Sequence, residues 1–283
     1  MKKGISIHIG LNYVDEEHYG TEVSPLETCE QDAKDMQEIA LDQNFKSTYL
    51  LLSENATRDA VKAAIKSASK ELRSGDMLML SYSGHGGFVP DTNGDEEDDS
   101  LDETWCLYDG QLIDDELFEL WAKFKKGVRI VMLSDSCHSG TVAKAKNLKD
   151  DEEEESIFKK KLLSYSVAKS VYYGNKSFYE KIEKRFANKK TKEVKASIKL
   201  LAACQDPQVS YTIPFARNSI FTEHLLKVWN KGQFVGTYEA FFDAVKENVE
   251  ALNFLPTKQT PNLYDVGRES EDFNKQKPFQ IYE

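Results

Sequence analysis

Short continuous runs of apolar residues mark the first half of the chain, and such runs are typical of strands that are buried on both faces. They predict four strands, at residues 4–9, 47–52, 76–82 and 128–133. A fifth run of the same kind, residues 196–203, lies in the second half of the chain. The apolar pattern therefore predicts one buried sheet to which both halves of the chain contribute.

Between these runs the apolar residues recur every three or four positions, which is the spacing of an amphipathic helix. Val61, Ala64, Ile65 and Ala68 show this spacing. The pattern predicts helices at residues 31–41, 58–72, 114–124, 220–229 and 238–252. Strands that alternate with helices predict an α/β fold, with a mostly parallel central sheet flanked by helices on both faces.

A charged segment interrupts this alternation. Residues 149–155 read Lys-Asp-Asp-Glu-Glu-Glu-Glu, and a lysine-rich stretch continues to Lys195. Such composition is typical of exposed, mobile chain. We therefore predict a single domain over residues 1–283, in which a flexible insertion (144–195) separates one half (1–143) from the other (196–283).

Charge and hydropathy exclude several classes of protein. The net charge of −11 disfavours nonspecific binding to nucleic acid and favours cationic partners. No run of about 18 apolar residues could cross a membrane, and polar residues interrupt the N-terminal apolar run before it reaches the length of an export signal. We expect a cytoplasmic protein with no membrane association.

Cysteine spacing argues against a zinc ribbon and against a disulfide scaffold. The four cysteines are widely separated and form no Cys-x-x-Cys pair. We expect Cys29, Cys106, Cys137 and Cys204 to be free thiols, with Cys106 and Cys204 packed at strand edges.

Two neighbouring strands end in residues that carry chemistry. Strand 76–82 runs into Ser-Gly-His85-Gly86-Gly, and strand 128–133 runs into Ser-Asp135-Ser-Cys137-His138. Parallel strands bring their carboxyl ends to one edge of a sheet, where working residues collect. An imidazole there can take the thiol proton and later deliver it to a leaving amine. The backbone N–H groups of Cys137 and Gly86 would form the oxyanion hole.

Other interpretations of these residues remain open. Taken singly, Cys137 is more often a packed thiol and His85 a turn residue; their occurrence together at paired strand ends favours catalysis. His138 is an alternative base, although a residue adjacent to the nucleophile usually points away from it.

The motifs Ser-Gly-His-Gly and Asp-Ser-Cys-His-Ser-Gly, with histidine and cysteine 52 residues apart, resemble the caspase-hemoglobinase superfamily. Within it, they are most similar to the metacaspases and their bacterial relatives, the orthocaspases. The resemblance implies a caspase-like α/β sandwich and a cysteine endopeptidase acting on protein or peptide substrates, with Cys137 as nucleophile and His85 as acid/base. It also implies a monomer, and it leaves an activating partner protein open.

The same resemblance predicts the substrate preference. It maps Asp32 and Ser83 onto the substrate pocket, and Asp135 lies two residues before the nucleophile. Two carboxylates in one desolvated pocket favour a cation, so we expect cleavage after arginine or lysine. Without the resemblance, Asp32 would be interpreted as a solvated acid near a helix N-terminus.

Residues 91–103 form an acidic loop whose oxygen ligands suit calcium. The loop is not an EF-hand, because Glu96 stands where that motif needs glycine. The resemblance maps calcium ligands onto Asp102, Asp114 and Asp115, but a further acid expected after the cysteine falls at Lys144. Calcium stimulation and a merely solvated loop both remain open.

For a protease that prefers basic residues, a lysine-rich insertion leaves two interpretations open: a zymogen that cleaves itself there, or a solvated charged linker that is never cleaved. The candidate sites are Lys159 to Lys161, Lys181, Lys184, Arg185, Lys189 and Lys190. Three rival hypotheses are a transpeptidase that uses the same thiol, a catalytically idle scaffold and a nucleotide-binding module. The last is disfavoured because no glycine-rich phosphate loop follows a strand.

Overall fold

The computed structural model describes residues 2–90, 101–137, 157–186, 192–205 and 208–281. Its strands are β1 Gly4–Gly10, β2 Ser47–Leu52, β3 Met77–Ser83, β4 Gly86–Pro90, β5 Leu101–Leu107, β6 Gly110–Ile113, β7 Arg129–Asp135, β8 Lys159–Lys160, β9 Ser197–Ala202, β10 Tyr211–Thr212 and β11 Asn262–Gly267. Its α-helices are α1 Glu16–Tyr19, α2 Cys29–Asp42, α3 Arg58–Glu71, α4 Asp114–Trp121, α5 Tyr165–Gly174, α6 Lys176–Phe186, α7 Ile220–Trp229, α8 Tyr238–Glu250 and α9 Glu271–Lys275. Among these residues, no helix is long and apolar enough to cross a membrane.

The central sheet has six strands in the order β11-β9-β7-β3-β1-β2. Neighbouring strands from β9 to β2 are parallel, and only β11 runs antiparallel, at the edge next to β9. The predicted α/β fold with a mostly parallel sheet is confirmed. Because β9 belongs to the second half of the chain and β7 to the first, the two halves form one sheet.

Alternate residues of β3 face two separate cores, as the two-residue period of a strand requires. Leu78 and Leu80 pack with residues of α3 and α4, such as Ile65. Met77 and Met79 pack with residues of α2, α7 and α8 on the opposite face, such as Phe241. Helices therefore cover both faces of the sheet, and the carboxyl ends of its strands are left to the loops.

A second sheet contains the three antiparallel strands β4, β5 and β6. The apolar pattern did not predict it, because β4 and β6 are short, β4 begins immediately after the glycine-flanked histidine, and β5 carries the polar residues Asp102, Glu103 and Thr104. This sheet holds the segment that follows His85: the backbone N–H of Cys106, in β5, donates to the His85 carbonyl at 3.0 Å.

Residues 157–186 differ from the mobile insertion expected over 144–195. They form the short strand β8 and the helices α5 and α6. Val167, Val171 and Tyr179 are buried against Phe88 and other residues of the second sheet. Apolar residues at helical spacing thus lie among the lysines whose charge dominated the sequence pattern. Residues 144–156 and 187–191 of the predicted insertion lie outside the described residues.

Candidate active site

Strand register brings the histidine and the cysteine to the same edge of the sheet. β3 and β7 are parallel neighbours in which Ser83 lies opposite Asp135. His85 and Cys137 each follow two residues later, and both are buried. Gly86 lies so close to the cysteine that a Cβ on it would be 1.7 Å from the Cys137 carbonyl oxygen. Only glycine permits this approach of the two loops.

His85 is oriented by a backbone carbonyl. Its Nε2 lies 2.9 Å from the Ser24 oxygen, and a carbonyl only accepts, so Nε2 carries the hydrogen. Nδ1 therefore keeps its lone pair, and it has no hydrogen-bond partner among the described residues. Burial lowers the pKa of His85 to about 4, although the hydrogen bond to Ser24 opposes this shift. The imidazole is thus neutral at pH 7 and can accept a proton at Nδ1.

Cys137 differs from the other cysteines in its environment. The backbone N–H of Ser210 donates to its Sγ at 2.7 Å, which orients the thiol. All four cysteines are free and buried. Burial raises the pKa of Cys29 to about 12 and raises that of Cys106 further, so these two thiols are poor nucleophiles.

The backbone of Lys161 lies against the loops that carry His85 and Cys137. Its carbonyl oxygen accepts from the N–H of Gly86 at 2.9 Å and from the N–H of Cys137 at 3.3 Å. Its own N–H donates to the Ser210 carbonyl at 3.0 Å. Two converging N–H donors on a carbonyl oxygen beside a thiol are the geometry of an oxyanion hole.

The side chain of Lys161 fills an acidic pocket and is 0% exposed. Its Nζ lies 3.0 Å from Asp135 Oδ1 and 3.4 Å from Asp32 Oδ2. It also donates to Ser83 Oγ at 2.8 Å, and that hydroxyl donates in turn to Asp32 at 2.7 Å. Burial alone would lower the pKa of Lys161, but the neighbouring carboxylates outweigh it and raise that pKa. The ammonium therefore stays charged in the pocket.

Fixed donors hold the Asp32 carboxylate in place. Asp32 Oδ1 accepts from the Ser219 backbone N–H at 3.0 Å and from Asn218 Nδ2 at 3.1 Å, and Oδ2 accepts from Ser219 Oγ at 2.5 Å. Burial raises the pKa of Asp32; Lys161 lowers it and Asp135 raises it further. Without a cation, the two carboxylates would therefore destabilise each other's charge.

Asp135 is held by hydroxyl groups from the second half of the chain. It accepts from Ser210 Oγ at 2.8 Å and from Thr222 Oγ1 at 2.7 Å. The sequence patterns do not indicate Ser210, Thr222 or Ser219, because a single hydroxyl residue carries no spacing signal, whether in a loop or, like Thr222, within α7. Lys161 was predicted only as one of several candidate cleavage sites.

The predicted calcium ligands Asp102, Asp114 and Asp115 lie within the described residues, whereas most of the acidic loop does not. Asp102 is buried in β5, while Asp114 and Asp115 begin α4. No group of three or more His, Cys, Asp or Glu residues among the described positions could hold a metal ion. Most of the acidic loop, together with Lys144 and His138, lies outside the described residues. Calcium stimulation stays a prediction.

Comparison with a family model decides the relationship: the caspase domain model matches residues 12–271. The chain belongs to the caspase domain family. The predicted resemblance to metacaspases is confirmed by fungal relatives. Metacaspase-1A of Aspergillus niger is 35% identical over 148 residues, covering 47% of this chain and 35% of the relative. Metacaspase-1 of Saccharomyces cerevisiae is 43% identical over 91 residues, covering 30% of this chain and 21% of the relative.

Among solved structures, protein GSU0716 from Geobacter sulfurreducens superposes with a TM-score of 0.86 at 44% identity. The match covers 99% of this chain and 100% of that one. That protein and this chain therefore have the same extent, whereas the chain spans about a third of the length of the A. niger relative.

Proposed function

We propose that this member of the caspase domain family is a cysteine endopeptidase that cleaves after lysine or arginine. The supporting observation is the position of Lys161: its ammonium lies between Asp32 and Asp135 while its carbonyl oxygen accepts from Gly86 and Cys137. A basic residue is thereby bound with its acyl group at the thiol. Asp32, Asp135 and Ser83 act as the specificity pocket.

In the proposed reaction, Nδ1 of His85 takes the proton of Cys137, and the thiolate attacks the carbonyl carbon of the bound lysine. The N–H groups of Gly86 and Cys137 stabilise the oxyanion. His85 then gives its proton to the leaving amine as the C–N bond breaks, which leaves a thioester. Water, deprotonated by His85, hydrolyses that thioester and restores the thiol.

We further propose that the first substrate is the chain itself, at the bond between Lys161 and Leu162. As long as this bond is intact, Lys161 occupies the pocket that another substrate would need. The tethered lysine competes at a high effective concentration. Cleavage converts a tethered occupant into a free chain end, so the pocket can exchange it for other peptides.

The experiment is release of a fluorophore from short peptides that end in Lys, Arg or Asp, with and without millimolar calcium. Wild type is compared with Cys137→Ala and with the matched control Cys204→Ala, which removes another buried thiol. We expect cleavage after Lys and Arg that is lost only in Cys137→Ala. Cleavage after Asp alone would overturn the pocket assignment, and cleavage that survives in Cys137→Ala would overturn the nucleophile.

A further inference from the structure

The residues before Lys161 lie beside the pocket as an extended strand. β8 pairs antiparallel with β10, so that Lys160 lies opposite Tyr211 and Lys159 opposite Thr212. Backbone pairing of this kind is available to any extended peptide, whereas side-chain contacts set the preference. If the proposed function holds, residues 158–161 show how a substrate is bound.

Lys159, two residues before the proposed cleavage point, has an acidic partner. Its Nζ lies 3.2 Å from Glu27 Oε1 and donates to the Pro25 carbonyl at 3.0 Å. The other carboxylate oxygen of Glu27 accepts from the Phe215 backbone N–H at 3.3 Å. Glu27 is therefore held by the protein backbone independently of the lysine, which is a property of a preformed subsite.

Phe158, three residues before the cleavage point, packs on two aromatic rings. It stacks on Phe254 with ring centroids 6.2 Å apart and meets Tyr211 edge-on at 6.1 Å. Phe254 remains 52% exposed even with this contact, so its ring offers apolar surface to an incoming side chain. Lys160, between the two recognised positions, is exposed to solvent.

We propose that Glu27 forms a subsite for a basic side chain two residues before the cleaved lysine, and that Phe254 with Tyr211 forms a subsite for an aromatic side chain three residues before it. This proposal rests on the proposed function, since it treats residues 158–161 as a bound substrate. The preferred substrates are therefore peptides with the pattern aromatic, basic, any residue, then lysine or arginine.

The test uses tetrapeptide fluorophore substrates that all end in lysine: Phe-Lys-Ala-Lys, Phe-Glu-Ala-Lys and Ala-Lys-Ala-Lys. Exposed ion pairs are weak, so wild type should prefer Lys over Glu at the second position by about fivefold in kcat/KM. The aromatic subsite should favour Phe over Ala by about tenfold. High salt should reduce the first ratio and not the second, because it screens only the charge pair.

Variants of Glu27 and Phe254 distinguish a role of these residues in substrate recognition from a role in folding. Glu27→Lys should reverse the preference to Glu, and Phe254→Ala should remove the preference for Phe, while the control Glu22→Gln, another exposed acid of the same loop, should change neither ratio. A structural role of Glu27 would not reverse a preference. Equal cleavage of all three peptides by wild type overturns the subsites and leaves the proposed function intact. Cleavage of none of them, nor of any other lysine or arginine peptide, overturns both.

Discussion

Two buried cations in this fold, Arg58 and Lys161, have similar surroundings, and the proposed function assigns them different roles. Arg58 is 5% exposed and donates to Glu116 at 2.7 Å and to the Gln111 carbonyl. Lys161 is 0% exposed and lies between Asp32 and Asp135. Burial and ion pairing alone do not distinguish them.

The backbone around each cation makes the difference. Arg58 is the first residue of α3, where its N–H donates to Asp109 at 2.7 Å, and its partner Glu116 lies on another helix. Lys161 follows the two-residue strand β8, and its carbonyl accepts from the N–H groups of Gly86 and Cys137. A buried ion pair is weak evidence for stability. The proposed function therefore assigns Arg58 to the framework and Lys161 to the position of a bound substrate.

The largest effect is expected on the free energy of unfolding, when the ion pair between Arg58 and Glu116 is broken. Glu116→Gln leaves the Arg58 charge buried without a carboxylate, and such a loss costs about 3–5 kcal/mol. We expect the free energy of unfolding, measured by denaturant titration, to fall by that amount. The ratio of Lys to Asp peptide cleavage should not change, because Glu116 does not contact the pocket. A shift in that ratio would show that the two cation sites are coupled.

A substitution in the acidic pocket around Lys161 should reduce activity strongly and stability less. Asp135→Asn removes the closer carboxylate, and we expect kcat/KM for Lys peptides to fall about 100-fold, in line with the loss of a desolvated charge partner. Stability should change less than in Glu116→Gln. The matched control is Asp265→Asn, which removes an exposed acid from the edge strand β11. Unchanged activity of Asp135→Asn toward Lys peptides would remove Asp135 from the pocket.

His8 is buried without a counter-ion among the described residues, unlike Arg58 and Lys161. We expect it to have the smallest effect, which is on the pH dependence of the free energy of unfolding. Burial lowers the pKa of His8 to about 3 from 6.5, and its Nδ1 lies 2.9 Å from Ser81 Oγ. Below pH 6.5, His8 binds a proton in the unfolded chain but stays neutral in the folded protein. The free energy of unfolding therefore falls as the pH falls. Between pH 6.5 and pH 5 this contribution is about 2 kcal/mol.

His8→Asn removes this titration. We expect its free energy of unfolding to vary with pH less steeply than that of wild type over the same interval, with the remaining slope carried in part by His85. Denaturant titrations at several pH values measure both slopes. Identical slopes would show that His8 does not stay neutral in the folded protein.

Local patterns predicted the framework well. The predicted helix at residues 58–72 corresponds to α3, Arg58–Glu71, and the predicted strand at residues 47–52 corresponds to β2. Continuous apolar runs and a regular helical spacing identify such elements without tertiary information. Strands β4 and β6 are short and β5 carries polar residues, so these three strands lack that signal. Helices α5 and α6 lack it as well, because their apolar residues lie among lysines.

The site was only partly accessible from sequence. His85 and Cys137 could be paired because each follows a strand, and the fold then places both at one edge. Ser210 and Thr222 were not predictable: they reach Asp135 across 75 and 87 residues, and such contacts exist only after the halves join. The position of the Lys161 side chain between Asp32 and Asp135 depends on the same long-range packing.

Whether Lys161 is bound as a substrate of Cys137 can be measured from the intact mass of the purified chain. Wild type, Lys161→Ala, Cys137→Ala and the exposed control Lys160→Ala are incubated with and without calcium. We expect wild type and Lys160→Ala to yield two fragments, one ending at Lys161 and the other beginning at Leu162, while Lys161→Ala and Cys137→Ala keep this bond intact. Cleavage of the same bond in Cys137→Ala, or cleavage of wild type only at other sites, would contradict this expectation.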